Sequence, residues 1–241
     1  MTDVPQRLNE VRERIASAAA KAGRSVSTVR LVAVSKTKPA DAIREAYAAG
    51  QRDFGENYVQ EMTRKADELE DFADLRWHFI GHLQRNKARH AVRCASVLHT
   101  VDSTDLGREL GKRAAGAPVP EARRLPFGGA ADSRLAVLVE VNVGREPQKS
   151  GCLSEAMPAI LDAVEAEPAL RLVGLTTIPP HTEDAAAARR FFEELAGLRD
   201  AHGGPTRLPE LSMGMTHDLE PAILAGATIV RIGTAIFGER L

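Results

Sequence analysis

Eight short apolar segments alternate with helical segments along this chain, and this alternation constrains the fold more than any other feature. An amphipathic helix, predicted over residues 4–22, precedes the first apolar segment. Repeated strand–helix units favour a closed (β/α)8 barrel of the TIM type, an α/β fold in which consecutive strands are parallel. The predicted strands are residues 29–35, 53–57, 75–80, 96–101, 135–142, 170–175, 208–211 and 227–232.

The repeat predicts one domain over residues 1–241, with an additional N-terminal helix. A doubly wound open sheet is the alternative, but no Gly-x-Gly-x-x-Gly sequence follows the first strand, so its dinucleotide-binding form is unsupported. Residues 114–134 interrupt the repeat, because they are rich in Ala, Gly, Pro and Arg and have no hydrophobic period. We expect a surface insertion or mobile loop there and assign it no chemistry.

Composition and charge argue against several classes of function. A net charge of −1 and an aromatic content of 4% disfavour a nucleic-acid partner. No apolar run approaches the length of a membrane span, and the N-terminus lacks the pattern of a signal peptide. Cys94 and Cys152 have no metal-ligand spacing and cannot form a disulfide scaffold. We therefore expect a cytoplasmic protein without a metal.

The carboxyl end of the first strand carries a lysine, and active sites of barrels gather where strands end. Val32, Val34 and Lys36 share one face of this strand because strand side chains alternate. A cation at the end of a buried strand is costly unless it has a partner or a function. Either Lys36 is an amine with a lowered pKa that forms a Schiff base, or its side chain extends into solvent.

The end of the last strand has the features of an anion site. Gly233 allows backbone N–H groups to approach an anion, Thr234 adds a hydroxyl, and a short helix can begin after them. Ser212 and Gly214, after the seventh strand, would supply the other half of the site. A plain turn is the alternative. Arg231 lies just before this site and needs either an acidic neighbour or a ligand atom, such as a ring nitrogen.

Motifs spread through the sequence resemble those of the pyridoxal phosphate homeostasis protein family. They are LVAVSKTKP at 31–39, FGENYVQE at 54–61, WHFIGHLQRNK at 77–87, LSMGM at 211–215 and VRIGTAIFG at 230–238. The resemblance covers nearly the whole chain apart from residues 114–134. It implies the fold of the barrel domain of bacterial alanine racemase, standing alone, with pyridoxal 5′-phosphate (PLP) as the cofactor.

The resemblance also implies roles for individual residues. Lys36 would carry the cofactor as a covalent aldimine, and Arg231 would face the pyridine nitrogen. His78, in contrast, is expected to pack within the third strand. The remaining cofactor-binding residues would be Ser212, Gly233 and Thr234 at the phosphate, and Asn57, His82 and Met213 along the pocket wall.

Three functions stay open at this stage. The first is a PLP carrier in vitamin B6 homeostasis with little or no turnover, because an arginine facing the ring nitrogen leaves that nitrogen unprotonated and weakens the electron sink. We assign no catalytic residue, and we expect no second domain to supply a further acid or base. The second is a racemase-like PLP enzyme, and the third is an aldolase that uses a Schiff-base lysine without cofactor. For the carrier we expect a monomer or weak dimer, with apo PLP-dependent enzymes as recipients.

Overall fold

Eight parallel strands close into one barrel in sequence order, which confirms the predicted fold. The computed structural model describes residues 3–124, 127 and 132–239. The strands are β1 Arg30–Val34, β2 Asp53–Glu56, β3 Arg76–Phe79, β4 Val97–Val101, β5 Leu135–Glu140, β6 Leu170–Thr176, β7 Glu210–Ser212 and β8 Ile229–Ile232. The barrel closes where β1 pairs with β8, with Val32 opposite Arg231. This pairing places the predicted lysine and arginine on neighbouring strands.

Helices cover the outside of the barrel. Short 3-10 helices also form at Val26–Thr28, Arg85–Lys87 and Glu121–Arg124. The α-helices are α1 Val4–Lys21, α2 Ala40–Ala48, α3 Val59–Glu68, α4 Ala88–Cys94, α5 Thr104–Ala115, α6 Met157–Glu165, α7 Ala185–Ala201, α8 Gly204–Arg207, α9 Leu219–Leu224 and α10 Thr234–Phe237. Among the residues that the structure describes, no helix is long and apolar enough to cross a membrane.

The additional N-terminal helix, α1, packs against α9 and α10. Its predicted apolar stripe is buried, including Leu8, Val11 and Ile15. The helix begins after Asp3, whose carboxylate accepts a hydrogen bond from the Gln6 N–H and so satisfies one of the free donors of the first turn. The helix therefore belongs to the packed body of the barrel.

Two apolar layers result from the alternation of side chains along the strands. The larger layer fills the space between the strands and the helices. The smaller one lies inside the barrel and consists of Val32, Val97, Phe127, Ala136, Leu138, Val173 and Ile229. Buried polar side chains also lie in this interior, and some of them are at the carboxyl ends of the strands.

Part of the 114–134 segment departs from the expected surface loop. α5 continues to Ala115, and Ala122, Arg123 and Phe127 are all buried. Arg123 donates hydrogen bonds to the carbonyl oxygens of Val92 and Ala95, at the end of α4. Phe127 lies in the barrel interior. Because all three residues are buried, they belong to the packed structure. Residues 125, 126 and 128–131 of the predicted loop lie outside the described residues.

Candidate functional site

A cavity of about 280 Å³ lies at the carboxyl ends of the strands and is large enough for one small ligand. Of the residues predicted from the sequence, the structure brings five together in its wall: Lys36, Asn57, Arg231, Gly233 and Thr234. A larger groove of about 680 Å³ lies outside the barrel, between α3 and α4. Because that groove contains none of the five residues, the smaller cavity is the candidate site.

The backbone on both sides of Lys36 is held by polar side chains of α3. The Ser35 carbonyl oxygen accepts a hydrogen bond of 2.7 Å from the Lys65 ammonium group. The Thr37 N–H donates to a Glu61 carboxylate oxygen at 2.7 Å. Thr37 has a φ of 64°, a left-handed conformation that residues other than glycine rarely adopt. Contacts on both sides of Lys36 therefore fix the direction in which it leaves β1.

Lys65 is the centre of this arrangement and is fully buried on α3. Its ammonium group lies 2.7 Å from Glu56 and 2.8 Å from Glu61. The Ser35 hydroxyl donates to the same Glu56 oxygen at 2.7 Å. Burial raises the pKa of Glu56, against the opposing attraction of Lys65. The charge of Lys65 is thus compensated within the fold, as a buried cation requires.

Arg231 projects into the interior from β8 and is held by its two terminal nitrogens. One donates to the hydroxyls of Thr176 and Ser212, at 2.9 and 2.6 Å, and to the Ser212 carbonyl oxygen. The other donates to the Thr177 carbonyl oxygen at 2.9 Å. The third nitrogen, Nε, makes no hydrogen bond to the described residues, although the side chain lines the cavity. That N–H is available to a ligand.

Two threonine hydroxyls and a glycine form the β8 end of the cavity. The hydroxyls of Thr216 and Thr234 lie 3.2 Å apart. A β-carbon at Gly233 would lie 3.2 Å from the Val34 carbonyl oxygen, which is tighter than an ordinary contact. Glycine at this position thus permits close approach of β8 to β1. Hydroxyl groups beside an exposed backbone suit a phosphate group.

Three predicted site residues lie outside the cavity wall. The Ser212 side chain is fully buried and is bonded to Arg231. Met213 is fully buried too, and His82 contacts Ser150 at 3.3 Å with its side chain 58% exposed. The Ser212 side chain therefore contacts Arg231 and not the cavity, and the described hydrogen bonds and ion pairs of Met213 and His82 involve no residue of the cavity wall.

Sequence reasoning missed several residues of the site. Ile178, Met215, Thr216 and His217 line the cavity from the loops after β6 and β7. Their only signal in the sequence was their position just after a strand, which many surface residues share. The buried Lys65 was also missed. For its partner Glu56, at the end of the second predicted strand, the sequence left a solvated helix start and a ligand contact equally open.

Glu140, the last residue of β5, places a buried carboxylate in the barrel interior. Burial raises the pKa of Glu140 to about 7, although the positive charge of Arg231 opposes the shift. Burial also lowers the pKa of Arg231 to about 10, so its guanidinium is still protonated at neutral pH. Arg231 consequently faces the cavity as a donor only.

The fold and the site together define a class: a single β/α barrel with a lysine and an arginine, from the strands that close it, in one cavity. Residues 7–241 match the family model described as alanine racemase, N-terminal domain. The pyridoxal phosphate homeostasis protein of Pseudomonas aeruginosa is 46% identical over 100% of this chain and 97% of that protein. The Escherichia coli protein of the same name is 41% identical over 100% and 98%. The chain belongs to the alanine racemase N-terminal domain family and, within it, to the pyridoxal phosphate homeostasis proteins.

Solved structures agree with this assignment. PipY from Synechococcus elongatus, solved with PLP bound, has a TM-score of 0.77 and 37% identity, over 98% of this chain and 100% of PipY. Alanine racemase from Corynebacterium glutamicum has a TM-score of 0.63 and 16% identity, over 96% of this chain and 61% of that enzyme. At that identity, the second comparison shows only a shared barrel.

Proposed function

We propose that this chain binds pyridoxal 5′-phosphate covalently at Lys36 and holds it for PLP homeostasis, with little or no catalytic turnover. The observation that carries the proposal is that Lys36 and Arg231 line one cavity, on the neighbouring strands β1 and β8. The relatives that are named pyridoxal phosphate homeostasis proteins and the PLP-bound PipY structure support the same ligand.

The residues of the cavity fit the chemical groups of PLP. Lys36 offers an amine, Thr216 and Thr234 offer hydroxyls near the backbone of Gly233, and Arg231 offers its Nε–H. When bound, PLP supplies an aldehyde carbon for the lysine and a pyridine ring that can accept electrons. Lys36 would hold the aldehyde end, the threonines would hold the phosphate, and Arg231 would donate to the ring nitrogen.

The donor character of Arg231 supports a carrier more than an enzyme. Because a guanidinium cannot accept a proton, it favours a ring nitrogen that carries none. An unprotonated pyridine is a weak electron sink, so chemistry at the α-carbon of an amino acid receives little support. A racemase-like enzyme is the second candidate, and only the shared barrel favours it.

Absorption spectroscopy with borohydride reduction tests the covalent link. We expect purified protein to gain the absorption of lysine-bound PLP on titration, and Lys36→Ala to lose it. After reduction and peptide mapping, the label should be on Lys36. Lys38 is the internal control, because it lines the same cavity but donates to the Glu239 carbonyl oxygen at 2.6 Å. Label on Lys38, or a protein that takes up no PLP, would contradict the proposal.

Turnover and transfer assays separate the carrier from the enzyme. We expect the PLP-loaded protein to racemise or decarboxylate common amino acids no faster than Lys36→Ala does. We also expect it to restore activity to an apo PLP-dependent enzyme, faster than free PLP at the same concentration. Robust racemisation that depends on Lys36 would favour the second candidate. A colourless protein that still reacts with carbonyl substrates through Lys36 would favour an aldolase.

A further inference from the structure

A chain of buried hydrogen bonds runs through the barrel interior from Arg231 to Asp53. The Arg231 guanidinium lies 2.6 Å from the Ser212 hydroxyl, which lies 2.9 Å from Nδ1 of His99. Nε2 of His99 is 2.9 Å from Nδ1 of His78, and Nε2 of His78 is 2.9 Å from the Asp53 carboxylate. All five residues are buried.

Asp53 and Arg231, at the two ends of this series of hydrogen bonds, determine the direction of every bond in it. Asp53 accepts, so His78 carries its proton on Nε2 and its Nδ1 must accept from His99. His99 therefore also carries its proton on Nε2, and its Nδ1 accepts from the Ser212 hydroxyl. That hydroxyl oxygen accepts in turn from Arg231, which can only donate. Every donor points the same way, from Arg231 toward Asp53.

The Asp53 end of the chain is fixed by two arginines at the amino-terminal end of the barrel. Arg76 donates to its carboxylate at 2.7 and 3.0 Å, and Arg30 lies 3.2 Å away. Burial alone would raise the pKa of Asp53, but the hydrogen bonds from His78 and Arg76 outweigh it and hold the pKa below its usual range. The acceptor at this end is therefore a permanent carboxylate.

Burial lowers the pKa of both histidines, and the Asp53 carboxylate only partly opposes this for His78. Both rings are thus neutral at neutral pH, which the alternating donor and acceptor roles require. Aligned hydrogen bonds of this kind strengthen one another in a medium of low dielectric constant.

We infer that His99 and His78 are positioning residues for Arg231, which hold its guanidinium in the cavity through one directed chain of hydrogen bonds. The inference rests on the proposed function, because it assigns Arg231 to the pyridine nitrogen of PLP. Neither histidine lines the cavity. His78 acts on Arg231 through His99, and His99 acts through its hydrogen bond to Ser212. The Ser212 hydroxyl keeps its oxygen turned toward Arg231 because it donates its hydrogen bond to Nδ1 of His99.

The first test measures the histidine tautomers in the cofactor-free protein. Nitrogen-15 NMR distinguishes a protonated Nε2 from a protonated Nδ1, and loss of a signal in His78→Gln and His99→Gln assigns the two rings. We expect both to be neutral with the proton on Nε2 at neutral pH. A proton on Nδ1 of either ring, or a charged ring, would break the chain and overturn the inference. This result does not depend on whether PLP binds.

The second test compares PLP with 1-deazapyridoxal phosphate, an analogue that has carbon in place of the ring nitrogen. In His99→Leu we expect PLP affinity to fall about tenfold, the scale of one weakened hydrogen bond to a charged group, and analogue affinity to stay the same. His99→Gln, which keeps one donor and one acceptor, should recover part of the loss. Equal losses for both ligands, or no loss, would overturn the positioning role.

The two proposals fail in different ways. If the native protein binds neither ligand, the proposed function fails, and the tautomers still decide whether the directed chain exists. If the native protein binds PLP but His99→Leu does not discriminate between the ligands, only the positioning role fails. Should His99→Leu not fold, the ratio of the two affinities in His99→Gln and the tautomers decide instead.

Discussion

The buried side chain of Lys65 stabilises several polar groups at once. Its ammonium group holds the Ser35 carbonyl oxygen and both Glu56 and Glu61, beside the residue proposed to bind PLP. The second oxygen of Glu56 is buried and has no hydrogen-bond partner among the described residues. Glu56 thus depends on Lys65 for the compensation of its charge.

Replacing this lysine tests that dependence. We expect Lys65→Met to lower the free energy of unfolding by about 3–5 kcal/mol, because it leaves a buried carboxylate without its cation. Lys21→Met is the matched control, since Lys21 is exposed at the end of α1. The control should change stability by less than about 0.5 kcal/mol. Urea unfolding measures both, and equal effects would show that Lys65 is not compensating buried charge.

Glu140 should make the stability of the fold depend on pH. Its pKa in the folded protein is about 7, above the value of about 4.3 expected for an unfolded chain. The fold thus favours its protonated form, whose contribution to stability is complete below about pH 4 and is lost as the pH rises through about 7. Glu140→Gln imitates the protonated form, and its advantage over the native chain should be about 2–3 kcal/mol larger at pH 8 than at pH 5.

Denaturant unfolding of the cofactor-free protein at both pH values measures this difference. Glu70→Gln serves as the control, because Glu70 is exposed and should show the same stability difference from the native chain at either pH. A pH-independent effect of Glu140→Gln would mean that Glu140 is ionised in the folded protein at both pH values.

At the scale of elements, the turn after β3 is built against the turn after β2. A β-carbon at Gly81 would overlap the carbonyl oxygen of Asn57, so the two turns can be this close only with glycine. Asn57 and Ile80 both line the candidate cavity, so the contact joins two turns that contribute to its wall.

We expect Gly81→Ala to displace the β2 turn, to cost about 1–3 kcal/mol of stability and to weaken PLP binding. Gly197 is the matched control, since it is exposed within α7 and a β-carbon there would have no atom of the described residues within 4 Å. Gly197→Ala should raise stability by about 0.5–1 kcal/mol through helix propensity and leave PLP affinity unchanged. Two variants with the same affinity as the native chain would disprove the link between the turns.

The elements were predictable because their signals are local. Apolar runs such as Leu135–Glu140 and the stripe of α1 can be found in the sequence, and strand–helix alternation leaves few possible topologies. β7 was the weakest case and begins at Glu210, later than predicted. The positions of Lys36 and Arg231 could also be predicted from the sequence, because each alternates with apolar residues in its own strand.

Interior polar contacts were not predictable, because they join distant parts of the chain. His99 and Ser212 are 113 positions apart, and no local feature of the sequence around either residue predicts their contact. His78 was predicted to pack in its strand, and it does lie buried there, but its bonds to Asp53 and His99 depend on barrel closure. Lys65 likewise resembles any lysine of a charged helix until β2 is placed beside it.

For the molecule as a whole, the two ends of the barrel have different contents. The carboxyl end holds the cavity, whereas the amino-terminal end is filled by Phe127 and the charged groups around Asp53. The Phe127 ring lies 4.8 Å from the Arg30 guanidinium and 5.6 Å from the His78 ring. A segment that interrupts the repeat thus supplies a side chain that fills the interior of the barrel.

The Arg231 hydrogen bonds join the two ends, so a packing residue that takes no part in those bonds should change stability without changing binding. Phe127→Ala removes a ring that is 4% exposed and should lower the free energy of unfolding by about 3 kcal/mol, through lost burial and a cavity. PLP affinity should stay within about twofold of the native value, because no hydrogen bond of the Arg231 chain involves Phe127. Phe191→Ala, in a half-buried position on α7, should cost less. Equal costs for the two variants would show that Phe127 is not part of the packed interior. A large loss of affinity in Phe127→Ala would show that its packing against His78 also affects binding.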